Sequence, residues 1–183
     1  EIISRIRKAE RAYFTLHKFF KSKLFSRRTK IRLYMTIIRP MVTYGCEIWP
    51  TTKQLEKRLL VFENKILRKI CGPVFDSELN NWRRRKNTEL REITEVPLLT
   101  SHIKCQRLKW FGHTMRKTET TNTRAVMEWQ PTGKRPRGRP RKRWMDGIRK
   151  DLETLEVTNW EDGVQDRDYW RTVTVAAKIL KEL

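Results

Sequence analysis

Acidic side chains are scarce: 21 Asp and Glu stand against 42 Lys and Arg, a formal charge of +21 over 183 residues. The shortage is local. Residues 1–145 carry 36 basic and 12 acidic side chains, net +24, whereas residues 146–183 carry 6 and 9, net −3. A surface this cationic suits nucleic acid better than an anionic membrane face. The bland alternative is a helical protein whose Lys and Arg faces are simply solvated. Long apolar runs are missing too. None approaches the ~18 residues of a membrane span, and no signal peptide is expected. The chain opens at Glu1 without an initiator Met, so a piece of something longer is expected. Cysteine is limited to Cys46, Cys71 and Cys105. An odd, widely spaced set argues against a disulfide framework and suits a reducing compartment.

Catalytic signatures are absent as well. The sequence has no Asp-Asp pair, no glycine-rich phosphate loop and no Ser/His/Asp set, so no active site is expected. Cys-x-x-Cys does not occur. His102 and Cys105 lie three apart, but on one helix His113 falls ~12 Å further along the axis. Zinc holds its ligands at ~2 Å, so one ion cannot use both Cys105 and His113. No metal or other cofactor is expected in this chain. Asp166-Arg167-Asp168 reads as local ion pairing.

What is present is helical periodicity. Residues 1–20 mix Ile2, Ile3, Ile6, Tyr13, Leu16, Phe19 and Phe20 with basic residues, and Ser26-Arg27-Arg28-Thr29 signals a new start. From Ile31 to Trp49 the pattern is apolar nearly all round, which predicts a core helix, ended or kinked at Pro40. Thr51-Thr52-Lys53-Gln54 resembles a capping box, and Leu55, Leu59, Phe62, Ile66 and Ile70 follow at helical spacing. Arg68 and Lys69 occupy the last turn before Gly72-Pro73. Lys57, Arg58, Lys65, Arg68 and Lys69 make that helix's polar surface basic.

Residues 73–87 read as a loop ending in Trp82-Arg83-Arg84-Arg85-Lys86, then a short helix from Thr88 to Glu95. Thr100 is the expected cap of a helix reaching about Lys117, with Ile103, Leu108, Phe111 and Met115 inward and Lys109 and Arg116 outward. A polar break at 118–123 precedes a brief helical piece ending near Trp129. Met145, Ile148, Leu152 and Leu155 mark a helix despite Gly147. Thr158-Asn159-Trp160-Glu161 resembles a capping box for a last helix with Trp170, Val173, Ala177 and Leu180 inward. No strand pair or hairpin signal is evident, so the expected fold class is all-α. Trp110, Trp144 and Trp170 fall beside inward positions and read as core. Trp82, beside its basic run, is the candidate for base stacking.

Seven of the ten residues from Lys134 to Arg143 are cationic, and the others are Pro136, Gly138 and Pro140. Like charges hold such a segment open until an anion arrives. Pro136-Arg137-Gly138-Arg139-Pro140 is similar to an AT-hook. Proline extends the residue before it, glycine permits close approach, and Arg137 and Arg139 would lie along a narrow A·T minor groove. A sequence-independent phosphate-binding linker, a nuclear import signal and a solvated linker explain the same residues.

Several motifs together resemble one family. Ile31-Arg32-Leu33-Tyr34, Ile38-Arg39-Pro40 and Tyr44-Gly45-Cys46-Glu47-Ile48-Trp49 are similar to the stretch after the palm in reverse transcriptases of non-LTR (LINE-type) retrotransposons. Phe62-Glu63-Asn64-Lys65-Ile66-Leu67-Arg68, Gly72-Pro73 and Arg107-Leu108-Lys109-Trp110-Phe111-Gly112-His113 continue the series. Gly138-Arg139-Pro140, Arg143-Trp144 and Asp166-Arg167-Asp168-Tyr169-Trp170 complete it in the same order. The resemblance implies palm-connection and thumb-like helices over 1–72 and a basic helical extension over 73–133. A basic linker over 134–143 and a C-terminal helical pair over 144–183 would follow. It also implies that the chain grips template–primer or target without chemistry of its own. The aromatic-x-Asp-Asp motif that holds divalent metal in that family's palm is absent, so no polymerase activity is expected of this chain alone.

The expected contact residues are Lys65, Arg68, Lys69, Arg83, Arg84, Arg85, Lys109, Arg116, Lys134, Arg135, Arg137, Arg139, Arg141, Lys142 and Arg143. Expected partners are RNA, RNA–DNA hybrid or duplex DNA and the remainder of a polymerase, not a membrane. The expected setting is nuclear or a nuclear/cytoplasmic ribonucleoprotein. The alternatives are a stand-alone DNA-binding protein using the hook-like segment, or an inert remnant serving as an interaction module.

Overall fold

A computed structural model of the chain describes residues 1–118, 122–129, 137–138 and 142–179. They are mostly helical, as the periodicity predicts, and divide into two compact units. The first comprises residues 1–44 and 53–99, the second 45–52 and 100–183. The hairpin and short helix at 74–94, which the resemblance assigns to a separate extension, fall inside the first unit. None of the described helices is long and apolar enough to cross a membrane.

The first unit opens with α1 (Ile2–Thr15) and α2 (His17–Lys21). The Ser26 hydroxyl accepts the Thr29 N–H at 3.1 Å and starts α3 (Arg27–Leu33), as its sequence signal predicts. Tyr34–Ile38 then widens into a π turn, in which Arg39 N–H reaches the Tyr34 carbonyl five residues back. This detour lets Pro40 sit in the first turn of α4 (Arg39–Thr43), where its missing amide is not needed. Proline therefore re-forms the helix instead of ending it.

Burial corrects the expectation of an all-round core helix. Tyr34, Ile38 and Val42 are buried at intervals of four, while Ile37, Met41 and Tyr44 are exposed. The apolar side chains outnumber the positions that one packed face can cover, and Arg5 lies over the Tyr44 ring at 4.6 Å.

The firmest expectation holds. Helix α5 (Lys53–Cys71) buries Leu59, Phe62, Ile66 and Ile70, and stops at Gly72, whose φ of +73° is left-handed. The next segment is not a loop. Strands β1 (Val74–Asp76) and β2 (Asn81–Arg83) pair antiparallel, with Phe75 opposite Trp82. The Asp76 carboxylate forms the turn by accepting the Glu78 and Leu79 N–H groups at 3.2 and 3.4 Å, and Asn80 takes φ +46°. Helix α6 (Asn87–Thr94) follows, the Glu89 carboxylate accepting the Lys86 N–H at 2.9 Å.

Helix α7 (Leu99–Met115), whose residues from Thr100 onward belong to the second unit, starts before the expected cap, so Thr100 lies inside its first turn and is buried. Helices α8 (Asn122–Glu128), α9 (Trp144–Thr154), α10 (Trp160–Gly163) and α11 (Arg167–Ile179) complete that unit. Leu108, Phe111, Ile148, Leu152, Val164, Trp170, Val173 and Ala177 form its core. Trp144 and Trp160 pack against that core from its edge.

Two terminal expectations change. Asn159 makes no side-chain cap bond, and α10 closes after one turn. Asp166 starts α11 instead, its Oδ1 accepting the Asp168 and Tyr169 N–H groups at 2.9 and 3.2 Å. The carboxylate of Asp166 thus caps a helix rather than pairing with Arg167, because free amides at a helix start outcompete an exposed neighbour. Leu180 lies outside the described residues.

Gly112 is where Trp170 needs space. The indole donates to the Leu108 carbonyl at 2.9 Å, and a Cβ on Gly112 would fall 2.1 Å from its Nε1. Gly112→Ala should therefore cost at least about 1–3 kcal/mol through overpacking. Urea unfolding followed by tryptophan emission measures this, and an unchanged midpoint would contradict the close contact.

Candidate nucleic-acid interface

The first unit holds 23 basic and 9 acidic side chains, net +14. Helical spacing sorts those of α5. Its apolar stripe faces the core, leaving Lys57, Arg58, Lys65 and Lys69 exposed on the other side. Their neighbours restrain them only weakly. Lys65 Nζ lies 3.5 Å from the exposed Glu10 carboxylate, and Lys69 Nζ sits 5.3 Å from the centre of the Tyr13 ring. Contacts of this kind contribute at most about 1 kcal/mol each, so a phosphate can take them over. Arg7, Lys8 and Arg11 on α1 and Arg27, Arg28 and Arg32 on α3 are exposed too.

The basic run after the hairpin is not one cationic patch. Extended backbone alternates its side chains, so Trp82, Arg84 and Lys86 are exposed while Arg83 and Arg85 are half-buried. Arg83 is clamped between two carboxylates, Nε to Asp76 at 2.6 Å and Nη2 to Glu89 at 2.7 Å. Hydrogen bonding from Arg83 holds Glu89 down at about 2, and the same guanidinium lowers Asp76. Arg85 Nε donates to the Gly72 carbonyl at 3.1 Å, past the end of α5. Arg68 Nε donates to the Arg85 carbonyl at 3.1 Å, and its Nη2 bonds Asn87. Partial burial, then the charge of Arg84, lowers the Arg68 guanidinium. Arg68, Arg83 and Arg85 thus anchor the hairpin, whereas Arg84 projects outward.

In the second unit Lys109 is exposed, as expected. Arg116 is half-buried, not outward, and its Nη1 donates to the Val164 carbonyl at 2.8 Å. Lys142 Nζ donates to the Thr51 carbonyl at 2.9 Å, and the Arg143 backbone N–H reaches Asp146 at 2.8 Å, opening α9. Arg137 is exposed beside Gly138, which adopts φ +109°. Lys134, Arg135, Arg139 and Arg141 lie outside the described residues.

Among the described residues no three His, Cys, Asp or Glu side chains gather as an ion would require. All three cysteines are buried, and burial pushes the Cys71 and Cys105 thiols up, away from reactivity. Sequence reasoning missed Phe75, whose role depends on strand register. It also missed Arg107, which looks like one more surface cation but is only 1% exposed.

An uncharacterised transposon-derived protein of Caenorhabditis elegans is 28% identical over 177 residues, 93% of this chain and 63% of that protein. The chain therefore spans less than two thirds of the relative's length, and it is similar to a transposon-derived protein. No family model matches the sequence, and no solved structure matches the fold.

Proposed function

We propose that this chain is a nucleic-acid-gripping portion of a transposon-encoded reverse transcriptase, comprising thumb-like and C-terminal helices and performing no chemistry itself. It holds template–primer hybrid or target duplex for a catalytic palm supplied elsewhere, where the divalent metal would sit. The observation that carries the reading is the +14 first unit, whose α5 presents Lys57, Arg58, Lys65 and Lys69 on one weakly restrained face. Likeness to a transposon-derived protein and the ordered retrotransposon-like motifs support it. A nuclear or ribonucleoprotein setting belongs to the same reading.

Fluorescence anisotropy with an RNA–DNA hybrid across a salt series tests it. Each phosphate contact on duplex DNA contributes about −0.9 to the slope of log affinity against log salt. Changing Lys57, Arg58, Lys65 and Lys69 together to Glu should flatten the slope by about 3 to 4 if each meets one phosphate. Affinity indifferent to salt, or no binding near physiological salt, would overturn the proposal. The hook-like Pro136-Arg137-Gly138-Arg139-Pro140 motivates a second reading. That stand-alone hook predicts preference for A·T-rich duplex, abolished when Arg137 and Arg139 become Ala.

A further inference from the structure

We infer that the hairpin carries a stacking site for an unpaired nucleobase, formed by Phe75 and Trp82 and flanked by Arg84 and Lys86. The inference rests on the nucleic-acid reading above and adds a preference for single strands to it.

Pairing register sets Phe75 and Trp82 directly opposite each other, so both rings stand on one face of the ribbon. Their centroids are 5.6 Å apart at 72°, an edge-to-face pair. Both are largely in solvent, Phe75 49% and Trp82 65% exposed, although burying either ring would stabilise the chain by kilocalories. They are not what holds the ribbon. That is done from its other face by Arg83 between Asp76 and Glu89, and by Arg85 on the Gly72 carbonyl. The Asp76 turn bonds fix the tip. An aromatic pair is therefore presented on a ribbon whose shape is fixed without it.

The charge beside the rings selects the occupant. Exposure alternates onward from Trp82, so Arg84 and Lys86 follow on its side, two residues or ~6.6 Å apart in extended chain. Arg83 is neutralised by its two carboxylates, and Glu78 at the turn is the acidic residue left to offset Arg84 and Lys86. A flat π-face beside phosphate-binding cations matches a base and its backbone. Paired bases in a duplex hide their faces from such a platform, so single strands, ends and frayed junctions are the ligands. A protein partner would need acidic character to approach a unit carrying +14, and nothing in the ring pair selects for that.

The test uses the full chain with fluorescein-labelled oligothymidylate and a blunt mixed-sequence duplex. Trp82→Ala and Phe75→Ala should each weaken oligothymidylate binding roughly 5- to 150-fold, the effect of losing one stacked base, and change duplex binding less than about twofold. Trp82→Tyr should restore most of the loss, and unchanged far-UV circular dichroism shows that the variants fold. Should the wild-type chain bind duplex with steep salt dependence while both Ala variants keep oligothymidylate affinity, the stacking site is overturned and the broader reading stands. Binding to neither ligand overturns both. Variants that keep oligothymidylate affinity but lose self-association in sedimentation assign the rings to protein contact and likewise overturn the site.

Discussion

Truncating Arg107 to Ala is expected to destabilise the second unit by about 3–5 kcal/mol, because it strands a buried carboxylate. Asp151 on α9 is that carboxylate. Arg107 Nε bonds its Oδ2 at 3.1 Å and Nη2 pairs with the same oxygen, while Nη1 donates to the Trp49 carbonyl at 3.4 Å and Thr51 Oγ1 at 3.3 Å. Gly147 makes the space, since a Cβ there would come within 3.1 Å of Nη1. That close approach explains why α9 tolerates a glycine at a helix-interior position, where it ordinarily costs up to about 1 kcal/mol. The cheaper substitution is the paired one. Arg107→Met with Asp151→Leu removes both charges and should lose far less than either single change, as replaced buried ion pairs commonly do.

Acid dependence gives this prediction its sign. Burial raises the Asp151 carboxyl above its ordinary value, and Arg107 pulls the other way. Without Arg107 the burial effect acts alone and the folded value climbs further. The folded variant then binds a proton more tightly than the unfolded chain, so its stability falls as pH rises through the interval between the two values. The Arg107→Ala deficit should accordingly be fullest at neutral pH and shrink on mild acidification. Urea unfolding at several pH values measures it. A deficit that widens with acid, or a double variant no better than the single, would show that the pair is not buried as described.

Legibility from the sequence followed the range of the forces involved. Helix α5 was readable because its apolar residues recur every three or four positions and Gly72 marks its end, all within one local stretch. The hairpin was not. Its strands are three residues long, and Asn80 and Asn81 do not form the Asn-Gly turn that advertises such a ribbon. Moreover, Arg83-Arg84-Arg85-Lys86 hides the alternation of a strand, because inward and outward side chains are chemically alike. Arg107 and Asp151 are separated by 44 positions, so nothing local distinguishes a buried guanidinium from the many solvated ones. The candidate interface was legible to the same degree. Charge marked candidate contacts on α5 and along the basic runs that follow it, but which arginines clamp carboxylates and carbonyls, leaving Arg84 outward, depends on tertiary packing. Asp166 illustrates the converse, a charge that reads as an ion pair until the helix start is placed beside it.

Glu63 should show the second large effect, a loss of about 3–5 kcal/mol from the first unit on truncation to Ala. Its carboxylate is fully buried on α5. Oε1 accepts the Tyr34 hydroxyl at 2.8 Å, and Oε2 pairs with Arg91 Nη2 at 2.8 Å and accepts the Leu99 N–H at 3.1 Å. Arg91 Nη2 donates also to Asn64 Oδ1 at 2.7 Å, closing a polar cluster inside an apolar core. Burial, and next the Glu63 charge, push the Tyr34 phenol well above its ordinary range, so its hydroxyl remains a donor far into alkali. The members of the cluster are unequal. Tyr34→Phe removes one donor and leaves Glu63 with Arg91 and the Leu99 amide, so about 1 kcal/mol is expected. Glu63→Ala leaves the Arg91 guanidinium without its counterion, and the Tyr34 phenol and Leu99 amide without their acceptor, at once. Hydrogen exchange over α3, α5 and α6 measures both, and protection should fall across all three helices in the Glu63 variant. Because the exposed lysines stand on the opposite face of the same helix, the variant should keep its nucleic-acid salt slope wherever it remains folded. Equal losses for the two variants would mean that Glu63 is not the centre of the cluster, and a changed slope in a folded Glu63→Ala chain would mean that α5 does not hold its inner and outer faces apart.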